Sequence, residues 1–318
     1  MSQTSHFSIL PSDILQYLSA SLDASIKVND EPLRILRLPH PRTALPSLFL
    51  PLEYLPSSSS HHTSTILEIQ SVSPPDERSW ILGEDVIADG KLLTMTSIDP
   101  AFLLIPILQA LEQGNEAAGQ FRPADDLLDE AAKRLAGSDE TQAQDLSDFC
   151  ALKCSHKALP RICDFKEISS DITVYRYSLS KTLEYMRSKV AHLQKSTALE
   201  NSLTITRILA KDGLMEDGKD ELLQLGRIRA CCDLISQYLD PITYEKLLNS
   251  YDLSKLQKYV DANKAEAVAK AVVAAPKTKS TATNDKKRKP AKPSRGVGEL
   301  KKVNTTGMAK LSSFFSKA

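Results

Sequence analysis

The tripeptide Ile98-Asp99-Pro100 divides this chain into two kinds of hydrophobic pattern. After it, Phe102, Leu103, Leu104, Ile105, Ile107, Leu108 and Leu111 are apolar nearly all round. Asp99 supplies an N-cap, and Pro100 suits the first helical position because its missing N–H has no partner there anyway. A helix with no polar face has to be surrounded, so the rest of the chain must build a core about it. Pro106 is expected to kink this helix or to shift its hydrogen bonding. The stretch is too short and too interrupted to span a bilayer, and no membrane partner is expected.

Before that point the apolar runs are short. Residues 33–38 alternate apolar and basic side chains, as a half-buried strand does. Residues 47–50 and 65–72 read as further strands, with Ser57 to Ser60, His61 and His62 as an exposed polar loop between them. Residues 80–82, 85–87 and 92–96 follow, and Asp89-Gly90 is expected to turn a hairpin between the last two. This N-terminal zone therefore reads as all-β.

After Pro100 the pattern is helical. Pro123 opens a helix that Gly137 stops, and residues 142–153 form another. Ile172, Val174, Tyr175 and Tyr177 make a short strand, and Ser178 caps a helix carrying Leu179, Leu183, Met186, Val190 and Leu193. Helices over 200–210 and 219–238 follow, one restarts at Asp240-Pro241, and a last one begins at Asp252. Three helices and then a short strand are compatible with a winged-helix variant. The expected fold class is α+β, with a small all-β part over 1–97, a helical winged-helix-like domain over 98–275 and a disordered basic tail over 276–318.

Charge sharpens the last boundary. The chain carries 40 basic and 40 acidic residues. Residues 277–318 hold 12 of the basic and 2 of the acidic ones, leaving a body with 28 and 38. An acidic body does not coat nucleic acid, whereas the tail is an interaction segment too poor in apolar residues to offset its ordering entropy.

No catalytic constellation stands out. There is no glycine-rich phosphate loop, no G-x-S-x-G and no H-E-x-x-H, and no catalytic or cofactor-binding residue is expected. Asp125, Asp126, Asp129 and Glu130 read as a solvated helix face. Cys150, Cys154, His156 and Cys163 are the one cluster with zinc-ligand chemistry, the first two sharing a helix face at i, i+4. Their spacing fits no usual finger, so they are read as core residues and no metal is expected. Cys231-Cys232 implies packing only. Five cysteines without a scaffold spacing suggest free thiols in a reducing compartment, and no secretory signal is visible.

The tail holds two motifs. Lys286, Lys287, Arg288 and Lys289, followed by Pro290, form a dense cationic cluster of the kind read as a nuclear import signal. Met308, Leu311, Phe314 and Phe315 then bring four apolar side chains to an otherwise polar end, which marks a docking segment that folds on its partner. Their spacing resembles the box that binds the sliding clamp, with Met308 in the usual glutamine position, so modest affinity is expected.

Several longer stretches resemble the B subunit family of eukaryotic type 2 ribonuclease H. They are Arg78-Ser79-Trp80-Ile81, Asp89-Gly90, Leu92-Leu93, Ile98-Asp99-Pro100 and Phe102-Leu103-Leu104, then Tyr175-Arg176-Tyr177-Ser178 with Lys181-Thr182-Leu183 and Lys189-Val190, and finally Leu234-Ile235-Ser236 with Tyr238-Leu239. The chain departs from that pattern at a Pro/Ser-rich, insertion-like loop over 46–64, at Pro106 and around residues 150–163. The resemblance implies a non-catalytic subunit of a trimeric enzyme that cleaves RNA in RNA–DNA hybrids and incises at ribonucleotides embedded in DNA. Metal and catalytic carboxylates would belong to the A subunit. The N-terminal strands would interleave with the C subunit in a shared triple barrel, and the tail would contact the sliding clamp (PCNA) in the nucleus. Two other readings compete: a nuclear winged-helix protein that binds DNA on its own, and a zinc enzyme, which would require bound metal.

Overall fold

A computed structural model describes residues 6–25, 33–54, 63–112 and 119–274. The chain divides into two units, Met1–Glu266 and Ala267–Ala318, and the sheets and nearly all the helices belong to the first.

The N-terminal strands are β1 (Phe7–Ile9), β2 (Leu36–Pro39), β3 (Pro46–Tyr54), β4 (Thr63–Val72), β5 (Trp80–Leu82), β6 (Asp85–Ile87) and β7 (Leu92–Ile98). Five of them form a sheet in the order β1-β7-β4-β3-β2, antiparallel except for the β1–β7 pair. The expectation of a purely β zone omits one element, the helix α1 (Ser12–Ser25). Ile14 and Leu18, one helical turn apart, pack on Leu50, Leu52, Tyr54 and Leu67 of one sheet face. Leu36, Leu38, Phe49 and Ile66 point the other way, into the main core. Of the insertion-like loop expected over 46–64, residues 46–54 form β3 and residues 63–64 open β4, with Leu50, Leu52 and Tyr54 alternating onto the buried sheet face.

The expected hairpin is also displaced. β6 pairs with β5, not with β7, through a tight turn at Gly83-Glu84. Gly83 takes φ +62° while Glu84 does not, the pattern of a type II′ turn. Asp89-Gly90 instead makes a local bend in which Asp89 Oδ1 accepts the Lys91 N–H at 3.0 Å. Glycine is required there for a close approach: a Cβ on Gly90 would lie 2.4 Å from the Arg78 carbonyl oxygen.

The apolar helix is α2 (Pro100–Gln109), capped by Asp99, which accepts the Ala101 N–H at 3.1 Å. It runs through Pro106, and its end tightens where the Ala110 N–H is shared between the Pro106 and Ile107 carbonyls. After it follow β8 (Arg122–Pro123), α3 (Ala124–Ala136), α4 (Glu140–Cys150), α5 (Lys153–Ile162), β9 (Cys163–Ser169), β10 (Ile172–Tyr177), α6 (Leu179–Gln194), α7 (Thr197–Asn201), α8 (Leu203–Lys211), α9 (Asp220–Ile235), a 3₁₀ turn (Ser236–Tyr238), α10 (Pro241–Asn249) and α11 (Ser254–Ala274), of which α3 and α5 lie directly against it. One contiguous hydrophobic cluster joins these helices to the sheet.

The helix expected over 142–153 breaks after Cys150. The chain turns at Ala151 and Leu152, the Leu152 N–H bonding back to Phe149, and α5 begins beyond. Cys150 and Cys154 therefore lie on different helices and share no face.

Candidate docking surfaces

The sheet is covered over only part of its area. The β5–β6 hairpin touches its β1 end through Trp80, which is tilted against Phe7 at 5.0 Å and donates its Nε1–H to the Lys91 carbonyl at 3.2 Å. The hairpin itself is open: Ile81 is 79% exposed and Val86 67%, with Leu82, Ile9 and Val72 exposed nearby. At the β2 end, Leu33, Ile35, Leu45 and Leu48 are exposed as well. Scattered surface apolar residues need no explanation, but contiguous ones mark an interaction face. A hairpin of two three-residue strands buries too little of its own surface to be held by itself.

The β2 edge is guarded. Asp145, buried on α4, accepts the Arg37 N–H at 3.0 Å and the Arg34 guanidinium at 2.7 Å, while Arg34 also pairs with Asp148. A carboxylate laid on a free edge strand blocks pairing with another strand there.

The helical part carries a three-stranded antiparallel sheet in the order β8-β10-β9, with β9–β10 as its wing. Lys166 Nζ and Arg176 Cζ lie over the Phe121 ring, 4.3 Å and 4.6 Å from its centre. These cations are largely spoken for: Arg176 pairs with Asp164 at 2.9 Å, and Arg122 with Glu130, which also takes Arg134. Burial works to raise the Glu130 carboxyl, but both guanidiniums outweigh it and hold it below the ordinary carboxylate range.

Among the residues with ligand chemistry, Cys150, Cys154 and Cys163 are buried in the core. Burial pushes the Cys150 and Cys163 thiols up to about 12, helped by Asp129 and Asp164 respectively, and it raises Cys154 too. His156 turns to Asp125 at 3.7 Å. Among the described residues no group of three or more His, Cys, Asp or Glu could hold a metal ion. Cys231 and Cys232 are both fully buried, because α9 is packed on more than one side. His61, His62, the import cluster Lys286 to Lys289 and the clamp-box residues Met308, Leu311, Phe314 and Phe315 lie outside the described residues. Sequence reasoning misses the buried carboxylates of Glu68 and Asp145. Glu68 interrupts the apolar run Ile66, Leu67 and Ile69, and that interruption is the signal that could have found it.

A β8-β10-β9 wing following a helical run, joined to an N-terminal sheet with uncovered apolar faces, defines a winged-helix protein with an appended sheet domain. Residues 102–248 match the model of the winged helix-turn-helix domain of the Ydr279p protein family, an RNase H2 complex component. Residues 21–99 match the Ydr279p protein triple barrel domain. The chain belongs to this family of ribonuclease H2 complex components. It is similar to the ribonuclease H2 B subunit of Xenopus tropicalis, 28% identical over 246 residues and 75% of each chain. The Xenopus laevis protein of the same name is 27% identical over the same shares. That of Schizosaccharomyces pombe is 25% identical over 298 residues, 89% of this chain and 94% of the relative.

Proposed function

We propose that this chain acts as a non-catalytic subunit of the trimeric ribonuclease H2, which degrades RNA in RNA–DNA hybrids and removes ribonucleotides misincorporated in DNA. The observation that carries the reading is the open β5–β6 hairpin. Its apolar side chains sit beside strand ends that a partner can cover, which suits interleaving with the C subunit. The A subunit supplies the catalytic carboxylates and the divalent metal. The tail recruits the assembly to the sliding clamp through Met308, Leu311, Phe314 and Phe315, and Lys286 to Lys289 direct it to the nucleus.

Reconstitution tests this directly. The chain co-expressed with the A and C subunits should purify as a 1:1:1 complex that incises a duplex containing a single ribonucleotide. The chain without A should cut nothing. Cleavage by the chain alone would overturn the proposal.

The wing favours a second reading, direct DNA binding. Pairing of Arg122 and Arg176 with carboxylates leaves little free charge for phosphates, so that reading ranks second. Tight, steeply salt-dependent DNA binding by the complex with its tail removed would promote it.

A further inference from the structure

The β2–β3 turn, residues 40–45, meets the 3₁₀ turn after α9 around a buried carboxylate. Glu68 stands opposite Phe49 on β4, 2% exposed, in a position whose neighbours face the helical core. Its Oε2 accepts the Tyr238 O–H at 2.7 Å, and its Oε1 lies 3.6 Å from His40 Nε2. His40 Nδ1 accepts the Arg42 N–H at 3.2 Å, so the neutral ring carries its hydrogen on Nε2, toward Glu68. The His40 and Tyr238 rings stack at 5.7 Å, and Phe102 of α2 backs Tyr238 at 5.6 Å. Arg42 adds a second tie across the same seam, donating to Gln237 Oε1 at 2.7 Å.

The turn is closed at a cost. His40 N–H bonds to the Leu45 carbonyl and Ala44 N–H to the His40 carbonyl, each at 2.8 Å. That closure puts Ala44 at φ +56°, a left-handed conformation that a non-glycine residue adopts only when its surroundings impose it.

We propose that the β2–β3 turn is a latch that holds the 3₁₀ turn and the α9 end against the sheet, with the Glu68 carboxylate as its keeper. An apolar residue at position 68 would pack this seam passively and tolerate partial opening. A buried carboxylate does not: losing the Tyr238 hydrogen bond strands a buried charge that His40, 3.6 Å away, is too far to satisfy, so the two turns close or open together. Burial and the adjacent Glu68 charge both push the Tyr238 hydroxyl well above its ordinary range, so it stays protonated as a donor. Opening is thus a local, cooperative event in two segments almost 200 residues apart in sequence.

Native-state amide hydrogen exchange on the full-length chain in its complex tests the latch. In Tyr238→Phe, amides of residues 40–45 and 236–239 should both exchange at least tenfold faster, while those of β7 and α6 stay unchanged. Glu68→Gln removes the buried charge at nearly the same volume, and should restore protection when combined with Tyr238→Phe. Ala44→Gly accepts the left-handed conformation without strain and should slow exchange at both segments. Acceleration at only one segment, or equal acceleration in β7 and α6, would overturn the proposal.

Discussion

Asp99 ends β7, caps α2 and is held from three further directions. Tyr185 donates to its Oδ2 at 2.5 Å, Lys189 lies 2.5 Å from the same atom, and Arg161 lies 3.3 Å from Oδ1. One side chain thereby ties the sheet exit to α5 and α6. Burial works to raise its carboxyl, but the bonds from Lys189 and Tyr185, the Lys189 charge and the Ala101 amide outweigh burial and hold it below the ordinary range. Lys189 answers in kind: burial lowers it, and Asp99 more than compensates, so it is raised. A depressed carboxylate stabilises the fold fully above the unfolded value of about 3.9, and that contribution is lost as pH falls through the folded value. Asp99→Asn keeps the cap and removes the charge. It should cost about 1–3 kcal/mol at pH 7, read from the urea midpoint of the helical circular dichroism signal. The deficit should shrink as pH drops below 4. A deficit independent of pH would show that the charge contributes nothing.

At the scale of elements, the β5–β6 hairpin and α2 obey opposite rules. Every side of α2 is buried, so its residues answer to packing. Both faces of the hairpin tip are open, so its residues answer to a partner. Val86→Asp should therefore leave thermal stability of the chain within about 0.5 kcal/mol, yet abolish co-purification with the C subunit. If the C subunit still co-purifies, the hairpin is not the docking element. The wing differs again: its Arg176 is paired with Asp164 and its Lys166 lies over the Phe121 ring, which suits a structural hairpin rather than a phosphate reader.

For the whole molecule, the proposed function assigns assembly and recruitment to separate stretches of sequence. The exposed apolar residues of the sheet and the β5–β6 hairpin lie in the first hundred residues, and the four residues spaced like a clamp box lie in the last eleven. Phe314→Ala with Phe315→Ala should abolish clamp binding in a pull-down while leaving hybrid cleavage by the reconstituted trimer unchanged, because neither residue belongs to the strands or helices of the first unit. Loss of both activities together would contradict a separable tail. The charge partition has the same sense: a tail with ten excess positive charges and a body with ten excess negative ones are built for different encounters.

Local rules are enough for much of this. Asp99-Pro100, Gly137, Ser178 and Asp240-Pro241 mark helix ends that the fold keeps, since capping is settled within one turn of chain. Strand alternation likewise places β4, β5, β6 and β10. Three features depend on residues distant in sequence: α1, visible only as a cover for Leu50 and Leu67; the break between α4 and α5, where the Cys154 N–H bonds Ser64 Oγ; and the burial of Glu68 against Tyr238; a fourth, the β5–β6 pairing, is a choice of the Gly83 turn over Asp89-Gly90. Each is a contest between locally acceptable alternatives, and only the packing of the assembled core decides which one can satisfy its polar groups.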